Sequence, residues 1–123
     1  MKKLSLDQIA SKSVGIIIPS LLFVMAVHGS GFLGAAAITS VLSALGPGGM
    51  IVGVITFGTA TVLLEAVTKY GIDHVITVLV KGAYKHGETK ESLLAAIDRY
   101  PVSKELKLKL RYEIEKLEAS NAF

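Results

Sequence analysis

The side chain best placed for unusual chemistry in this chain is the carboxylate of Glu65. It follows Ser13–Leu64, fifty-two residues that contain no Asp, Glu, Lys or Arg and in which only His28 can carry a side-chain charge. A carboxylate beside hydrocarbon is costly, so Glu65 is a candidate proton-binding group. Lys69 lies four residues on, and an ion pair between Glu65 and Lys69 at the end of the apolar segment is the simpler alternative.

His28 is the second titratable candidate, because it stands just before Gly29-Ser30-Gly31, where the first apolar stretch ends. Histidine is the residue type that most readily changes charge near physiological pH. A histidine in this place is therefore either a pH-sensitive group or simply the polar end of the apolar stretch.

No pattern typical of catalysis accompanies these two residues. The chain has no cysteine, and its serines form neither a GxSxG elbow nor an SxxK pattern. His74 and His86 have no neighbouring ligands at metal-binding spacing, which predicts neither a metal nor a cofactor. The net charge of +3 does not indicate a nucleic-acid partner, because glutamates interleave with the lysines of the C-terminal part. We therefore expect a protein that is not an enzyme.

The uncharged segment predicts an all-α fold containing a membrane helical hairpin. A helix needs about twenty residues to cross a bilayer, so the segment holds two spans and a connection. Glycines and proline place the spans at about Val14–Gly31 and Met50–Val67, with the Gly/Ala-rich stretch Phe32–Leu45 as a short interfacial or re-entrant helix. The turn before the second span is expected at three residues: Gly46, Pro47 and Gly48.

Basic residues at the two ends of the hairpin set its orientation. Lys2, Lys3 and Lys12 flank one end and Lys69 the other, so both termini are expected on the cytoplasmic side of the membrane. The chain is thus divided into a polar N-terminal segment (1–12), a transmembrane hairpin (13–68) and a cytoplasmic amphipathic helical tail (69–119). The basic start also fits a signal peptide, but the weak cleavage pattern favours an uncleaved first helix.

A second geometry stays open. Residues 13–45 would form one long broken helix that folds back at residues 46–49 onto an arm running to about Lys85. Glu65, Lys69 and Asp73 would then lie in that arm, which would belong to a soluble hairpin that inserts into a membrane conditionally.

The tail shows three amphipathic helical patterns. Apolar residues recur at helical spacing from Ile72 to Ala83, and Gly87 ends this pattern. Thr89 is the expected N-cap of a helix from Lys90 to Tyr100. Ser103 is the expected cap of the last helix, whose apolar stripe consists of Leu106, Leu110, Ile114 and Leu117.

Small residues crowd the apolar segment and predict close helix packing. In lipid, helices associate through small residues that let the backbones approach each other. This contact is either internal to one hairpin or made between copies of the chain, and self-association is the more specific prediction. The expected packing positions are Gly34, Gly49, Gly53 and Gly58.

The Gly-rich apolar hairpin with amphipathic helices is similar in general layout to the inserting part of pore-forming bacteriocins and to phage holins. Its Ala/Gly-rich middle resembles small interferon-induced membrane proteins. Glu65 resembles the proton-binding carboxylate of rotary-ATPase ring subunits, although the rings place that group deep in the second helix, whereas Glu65 lies close to Lys69. These resemblances imply the lipid bilayer as a partner.

Three functions follow as expectations. The first is a self-associating membrane protein that permeabilises or remodels the bilayer. The second is a membrane-anchored adaptor or immunity-type protein whose helical tail binds a protein partner. The third is a soluble helical protein that hides its apolar hairpin and inserts on a trigger.

Overall fold

The computed structural model describes residues 5–30, 57–100, 102–121 and 123, and all regular secondary structure in these ranges is α-helical. This confirms the predicted all-α class. The helices of the described ranges are α1 (Leu6–Ala10), α2 (Val14–Ser30), α3 (Phe57–Tyr70), α4 (Ile72–Lys85), α5 (Lys90–Asp98) and α6 (Lys104–Ala119).

The predicted spans are present only in part among these helices. α2 coincides with the first predicted span, and α3 begins within the second and continues beyond it. The short helix predicted at Phe32–Leu45 lies outside the described residues. Within the described ranges, no helix combines the length and the apolar character that crossing a bilayer requires. The two-span hairpin therefore stays a prediction.

α2 is apolar on every side and is enclosed by other helices. Every residue from Ile17 to Met25 is buried, and α2 packs against α1, α3, α4 and α6. The buried hydroxyl of Ser20 donates a hydrogen bond of 2.8 Å to the carbonyl oxygen of Ile16. A helix without a polar face has to be surrounded by apolar material, and here the neighbouring helices provide it.

The segment predicted as a polar N-terminus contains a short helix, α1. The Ser5 hydroxyl accepts from the Gln8 backbone N–H at 3.2 Å, and the Gln8 side-chain oxygen accepts from the Ser5 N–H at 2.8 Å. This reciprocal capping box starts the helix. Ile9 and Ala10 are buried, so α1 is part of the core instead of a solvated extension.

α1 and α4 approach each other closely at Gly82. A Cβ atom at residue 82 would overlap the carbonyl group of Ala10, so only glycine fits this contact. Gly15, near the start of α2, differs from Gly82 because a Cβ there would meet only the Ser13 hydroxyl at 3.5 Å, an ordinary contact. The two glycines therefore form a matched pair for substitution.

Gly82→Ala is expected to lower the free energy of unfolding by about 1–3 kcal/mol, because the added methyl forces the α1 and α4 backbones apart. Gly15→Ala is expected to leave it unchanged or to raise it by up to about 1 kcal/mol, since alanine is the better helix former. Urea unfolding of both variants measures the difference. Equal stability of Gly82→Ala and the wild type would show that α1 does not dock on α4.

The three helices predicted in the tail are confirmed. α4 spans Ile72–Lys85, and Gly87, with a φ of +93°, follows its end as glycine in a left-handed conformation commonly does. Thr89 caps α5, and the Ser103 hydroxyl caps α6 by accepting from the Leu106 N–H at 3.1 Å. α5 ends at Asp98, two residues earlier than predicted. The reason is that Pro101 disfavours helical geometry at the residue before it, Tyr100.

The predicted tail is packed against the apolar segment. α3 continues past the predicted boundary at residues 68 and 69 to Tyr70, and Gly71, with a φ of +89°, separates it from α4. α4 and α6 both pack on α2, and their buried residues belong to one apolar cluster with those of α2. The helices of the tail are thus part of the same core as the first predicted span.

Candidate functional site: the covered helix α2

Two amphipathic helices, α4 and α6, pack on α2, and we call their buried faces the cover. The outer faces of both helices carry charged residues, such as Asp73 and Lys81 on α4 and Glu105 and Lys109 on α6. The cover therefore encloses an apolar helix and presents a polar surface to water. Its fully buried residues are Val75, Ile76, Leu79, Val80 and Ala83 of α4 and Leu110 and Ile114 of α6.

A hydrogen bond links the two helices of the cover at the C-terminal end of α4. The Tyr84 hydroxyl donates to Glu118 Oε1 at 2.6 Å, and the Tyr84 ring meets the Phe123 ring edge-on, with centroids 5.9 Å apart. Partial burial raises the pKa of Tyr84, and the hydrogen bond to Glu118 and the nearby negative charges of Glu118 and Glu91 raise it further. The phenol is thereby held in its neutral, donating form.

The raised pKa of Tyr84 makes stability depend on alkaline pH. In the unfolded chain the tyrosine ionises near its ordinary value of 10.0, whereas in the folded chain it stays protonated. The stabilisation is complete below pH 10 and is lost as the pH rises above it, by at most about 1.4 kcal/mol per pH unit. Burial raises the pKa of Tyr100 as well, so its ionisation also lowers the free energy of unfolding at alkaline pH.

Tyr84→Phe is expected to flatten this alkaline decline and to cost about 1 kcal/mol at neutral pH through the lost hydrogen bond. Urea unfolding at a series of pH values from neutral to alkaline measures both effects. Tyr112→Phe, which removes an exposed hydroxyl on α6, is the matched control. An alkaline decline that is as steep in Tyr84→Phe as in the wild type would contradict the assignment.

A second polar link joins α6 to the start of α4 through Lys116. Its ammonium donates to Glu113 Oε1 at 3.1 Å and lies 3.7 Å from Asp73 Oδ1. The hydrogen bond to Glu113 is the main reason that the pKa of Lys116 is raised. The other carboxylate oxygen, Glu113 Oε2, is buried and has no hydrogen-bond partner. α6 thus carries an unsatisfied polar atom into the cover.

Glu113→Met is expected to raise the free energy of unfolding by about 1 kcal/mol, because it removes a buried oxygen that has lost water without gaining a partner. Lys116 keeps Asp73 as a partner in this variant, and its pKa is expected to move back toward its ordinary value. Urea unfolding and lysine side-chain NMR measure these changes.

The control for Glu113→Met is Glu115→Met. Glu115 is half exposed and lies 3.7 Å from Arg111 and 4.0 Å from Lys90. Such surface pairs contribute little, so its loss is expected to change stability by less than about 0.5 kcal/mol. A lower stability of Glu113→Met than of Glu115→Met would contradict the reading of Glu113 as an unsatisfied group.

The two titratable residues singled out in the sequence lie at the surface of the described structure. Glu65 is exposed on α3, and the predicted ion pair with Lys69 is not formed there, whereas Glu105 and Lys109, at the same spacing on α6, pair at 3.2 Å. The Lys69 ammonium instead lies 5.5 Å from the centroid of the Tyr70 ring. His28 is exposed at the end of α2. The structure does not bring Glu65 and His28 into a common site with the cover.

Of the glycines predicted to pack helices, Gly58 alone lies within the described residues. Gly58 is exposed on α3, so none of the described residues covers it. Its predicted contact with a second copy stays a prediction. The other predicted packing and turn residues lie outside the described ranges: Gly34, Gly46, Pro47, Gly48, Gly49 and Gly53.

The residues that link the cover were not singled out in the sequence. Tyr84 and Glu118 are thirty-four positions apart, and no local pattern joins them. Glu113 had a local signal, because it lies three residues after Leu110 and next to Ile114, at the edge of the apolar stripe of α6. A charged residue at such a position is a candidate for partial burial.

The described ranges hold no group of three or more His, Cys, Asp or Glu residues able to bind a metal ion. The features that distinguish this molecule are therefore the enclosed helix α2 and the polar links of its cover. Comparisons with protein-family models, with curated proteins and with solved structures find no match for this chain.

Proposed function

We propose that this chain is a conditionally inserting membrane protein. In its closed state, amphipathic helices enclose α2, and when the cover opens α2 transfers to the lipid bilayer. The observation that carries the proposal is the burial of every residue from Ile17 to Met25 in a helix that has no polar face. Such a helix is stable inside protein or inside lipid but not in water.

The outer surface of the cover supports the conditional part of the proposal. A helix that lies permanently in lipid needs no polar helices around its middle, whereas α4 and α6 turn apolar faces inward and charges outward. This arrangement stabilises α2 in water. Of the expected functions, the third therefore agrees best with the packing of the described residues.

The proposal retains the bilayer as the partner of the open state. Three properties of that state stay predictions. They are permeabilisation or remodelling of the membrane, the location of both chain ends on the cytoplasmic side, and self-association through Gly34, Gly49, Gly53 and Gly58. Gly58 is exposed among the described residues of the closed state, which supports it as a contact position for a second copy.

Fractionation of cells that express the full chain tests the proposal. We expect protein in the fraction released without detergent, and a carbonate-resistant membrane fraction after exposure to mild acid or mild heat. Purified protein is then floated with vesicles of phosphatidylcholine and phosphatidylglycerol in equal parts. Recovery only with detergent under every condition would favour a constitutive hairpin, and failure to float under every condition would exclude insertion.

A second function, binding of a protein partner through the tail, is favoured by one observation. Leu108 and Tyr112 lie one turn apart on α6 and are 55% and 66% exposed, which is unusual for large apolar side chains. A photo-reactive residue at position 112 is expected to give one discrete adduct in cells if a partner binds there. The same residue at Lys85, on the exposed side of α4, is the control.

A further inference from the structure

We infer that the exposed face of α4 is a docking surface for anionic lipid headgroups, through which the closed protein adsorbs to a membrane before α2 inserts. The inference rests on the proposed function and names the surface and the lipid class that meet first. It is carried by two lysines without ion-pair partners, by a cleft beside them and by an exposed aromatic side chain at the other end of the same face.

Exposed and half-exposed residues follow one line along α4. These residues are His74, Val78, Lys81 and Lys85. They stand four, three and four positions apart, a spacing that keeps side chains on one side of a helix. The buried residues of α4, such as Leu79, lie on the opposite side, and α4 packs on α2. We call the exposed line the outer face of α4.

The lysines of the outer face carry positive charge that no described carboxylate neutralises. Within the described ranges, neither Lys81 nor Lys85 forms an ion pair, although both are exposed. The paired cations of α5 and α6 are Lys90, Lys109, Arg111 and Lys116. Two adjacent cations without partners are attracted to the negative surface of a membrane that contains anionic lipid.

A cleft between α1 and α4 gives these lysines a place to hold a headgroup. It has a volume of about 310 Å³ and is lined by Lys81, Lys85 and Val78 on α4 and by Asp7, Ala10 and Ser11 at α1. Ammonium groups donate strong hydrogen bonds to phosphate oxygens. Two ammonium groups and one carboxylate leave a net charge of +1 in the cleft. This charge matches the single negative charge of a phosphodiester, such as that of phosphatidylglycerol.

The other end of the outer face carries an exposed aromatic side chain. Tyr70 is 54% exposed, its ring lies 5.1 Å from the ring of His74, and the Lys69 ammonium lies 5.5 Å from its centroid. Tyrosine combines an apolar ring with a polar hydroxyl, which suits the headgroup region of a bilayer. The fourteen residues of α4 span about 21 Å, so an aromatic anchor and a lysine cleft lie at opposite ends of one face.

Docking through the outer face brings α2 close to the bilayer. α4 packs on α2, and the axes of packed helices lie about 8–10 Å apart. The adsorbed protein therefore holds α2 one helix away from the headgroups while the cover is still closed. Adsorption also concentrates the closed protein at the membrane, where opening of the cover leads to insertion.

Vesicle flotation at neutral pH tests the docking surface. The full chain is floated with the phosphatidylcholine–phosphatidylglycerol vesicles at about 0.01 M salt, where charges act over about 30 Å, and at about 1 M salt, where they act over about 3 Å. We expect flotation at low salt that is lost at high salt, and none with phosphatidylcholine alone. Insertion is scored as flotation that survives the high-salt wash. Equal low-salt flotation with both vesicle types would overturn the inference.

Charge variants locate the surface. Lys81→Gln with Lys85→Gln is expected to lower low-salt flotation at least about tenfold, and Asp7→Asn to raise it about two- to fivefold. The control, Lys104→Gln with Lys109→Gln, removes the same charge from exposed positions on α6 and is expected to change flotation less than about twofold. Circular dichroism verifies that the variants keep the fold. Equal loss in both double variants, or no loss in the first, would overturn the inference.

Tryptophan reporters show which side of the molecule meets lipid. The chain has no tryptophan, so Tyr70→Trp and Tyr112→Trp each introduce a single one at an exposed site, on α3 and on α6. We expect anionic vesicles at low salt to shift the emission of Tyr70→Trp to shorter wavelength and high salt to reverse the shift. The emission of Tyr112→Trp is expected to stay unchanged. A shift confined to Tyr112→Trp would place the contact on α6 and contradict the inference.

The two proposals fail in different ways. If the protein docks reversibly but mild acid and mild heat give no carbonate-resistant fraction, the docking surface stands and the insertion function is wrong. If that fraction forms while the wild type shows no salt-dependent docking, the proposed function stands and the docking surface is wrong.

Discussion

Phe23→Ala is expected to lower the free energy of unfolding by about 3–5 kcal/mol. Phe23 is fully buried in the middle of α2 and is the largest fully buried side chain among the described residues, so its loss leaves a cavity that the surrounding helices fill only in part. A small protein has a net stability of about 5–15 kcal/mol, so the closed state becomes marginal.

The same change is expected to increase vesicle flotation at neutral pH, by at least about tenfold. Alanine is still apolar, so α2 keeps most of its preference for lipid while the closed state loses several kcal/mol. Urea unfolding and flotation measure the two effects. Tyr112→Ala, which removes a ring that is 66% exposed, is the control and is expected to change stability by less than about 0.5 kcal/mol.

A stability of Phe23→Ala equal to that of the wild type would show that α2 is not held in a packed interior. Lower stability without increased flotation would show that the opened helix does not enter lipid. The first outcome contradicts the described packing, and the second contradicts only the proposed function.

Leu21→Asp is expected to abolish both the closed fold and insertion. Leu21 is completely buried, and an unpaired carboxylate in such a place costs several kcal/mol or more. At the centre of a membrane helix, Asp adds about 2.5–3.5 kcal/mol to the free energy of insertion. The variant therefore loses stability in both environments, in contrast to Phe23→Ala.

Circular dichroism and vesicle flotation of Leu21→Asp measure these losses, and Leu21→Ala is the matched apolar control. The alanine variant is expected to lose about 2–5 kcal/mol of stability and to retain flotation. Flotation of Leu21→Asp at the level of Leu21→Ala would show that some other segment of the chain binds the membrane.

The tail helices could be predicted from the sequence because their signals are local. Thr89 and Ser103 cap the helices that follow them, and the apolar stripes of α4 and α6 recur at helical spacing. Caps and stripes depend on residues three or four positions apart. The position of α1 had a local signal too, because Ser5 and Gln8 stand at the spacing of a capping box.

The environment of α2 could not be predicted in the same way. An amphipathic helix shows by its polar face which side meets water, whereas α2 is apolar all round and satisfies protein and lipid equally. α4 and α6 begin at least forty residues further along the chain. Their packing on α2, seen only in the folded structure, shows that protein encloses this helix.

The polar links were unpredictable for different reasons. Tyr84 and Glu118 meet through tertiary packing, to which the sequence spacing gives no clue. The expected pair of Glu65 and Lys69 is not formed, whereas Glu105 and Lys109, which have the same spacing and are also exposed, do pair. An exposed pair of this kind contributes only about 0.3–0.5 kcal/mol. Spacing alone does not decide such surface contacts.

The order in which α2 and its cover occur along the chain has a consequence for biosynthesis. α2 leaves the ribosome before α4 and α6 have been translated, and at about 5–20 residues per second the interval to the end of α6 lasts roughly 5–20 s. During this interval α2 is not yet covered by α4 and α6. Under the proposed function, the bilayer competes with the later helices for α2, so the speed of translation is expected to affect how the product divides between the closed and the inserted states.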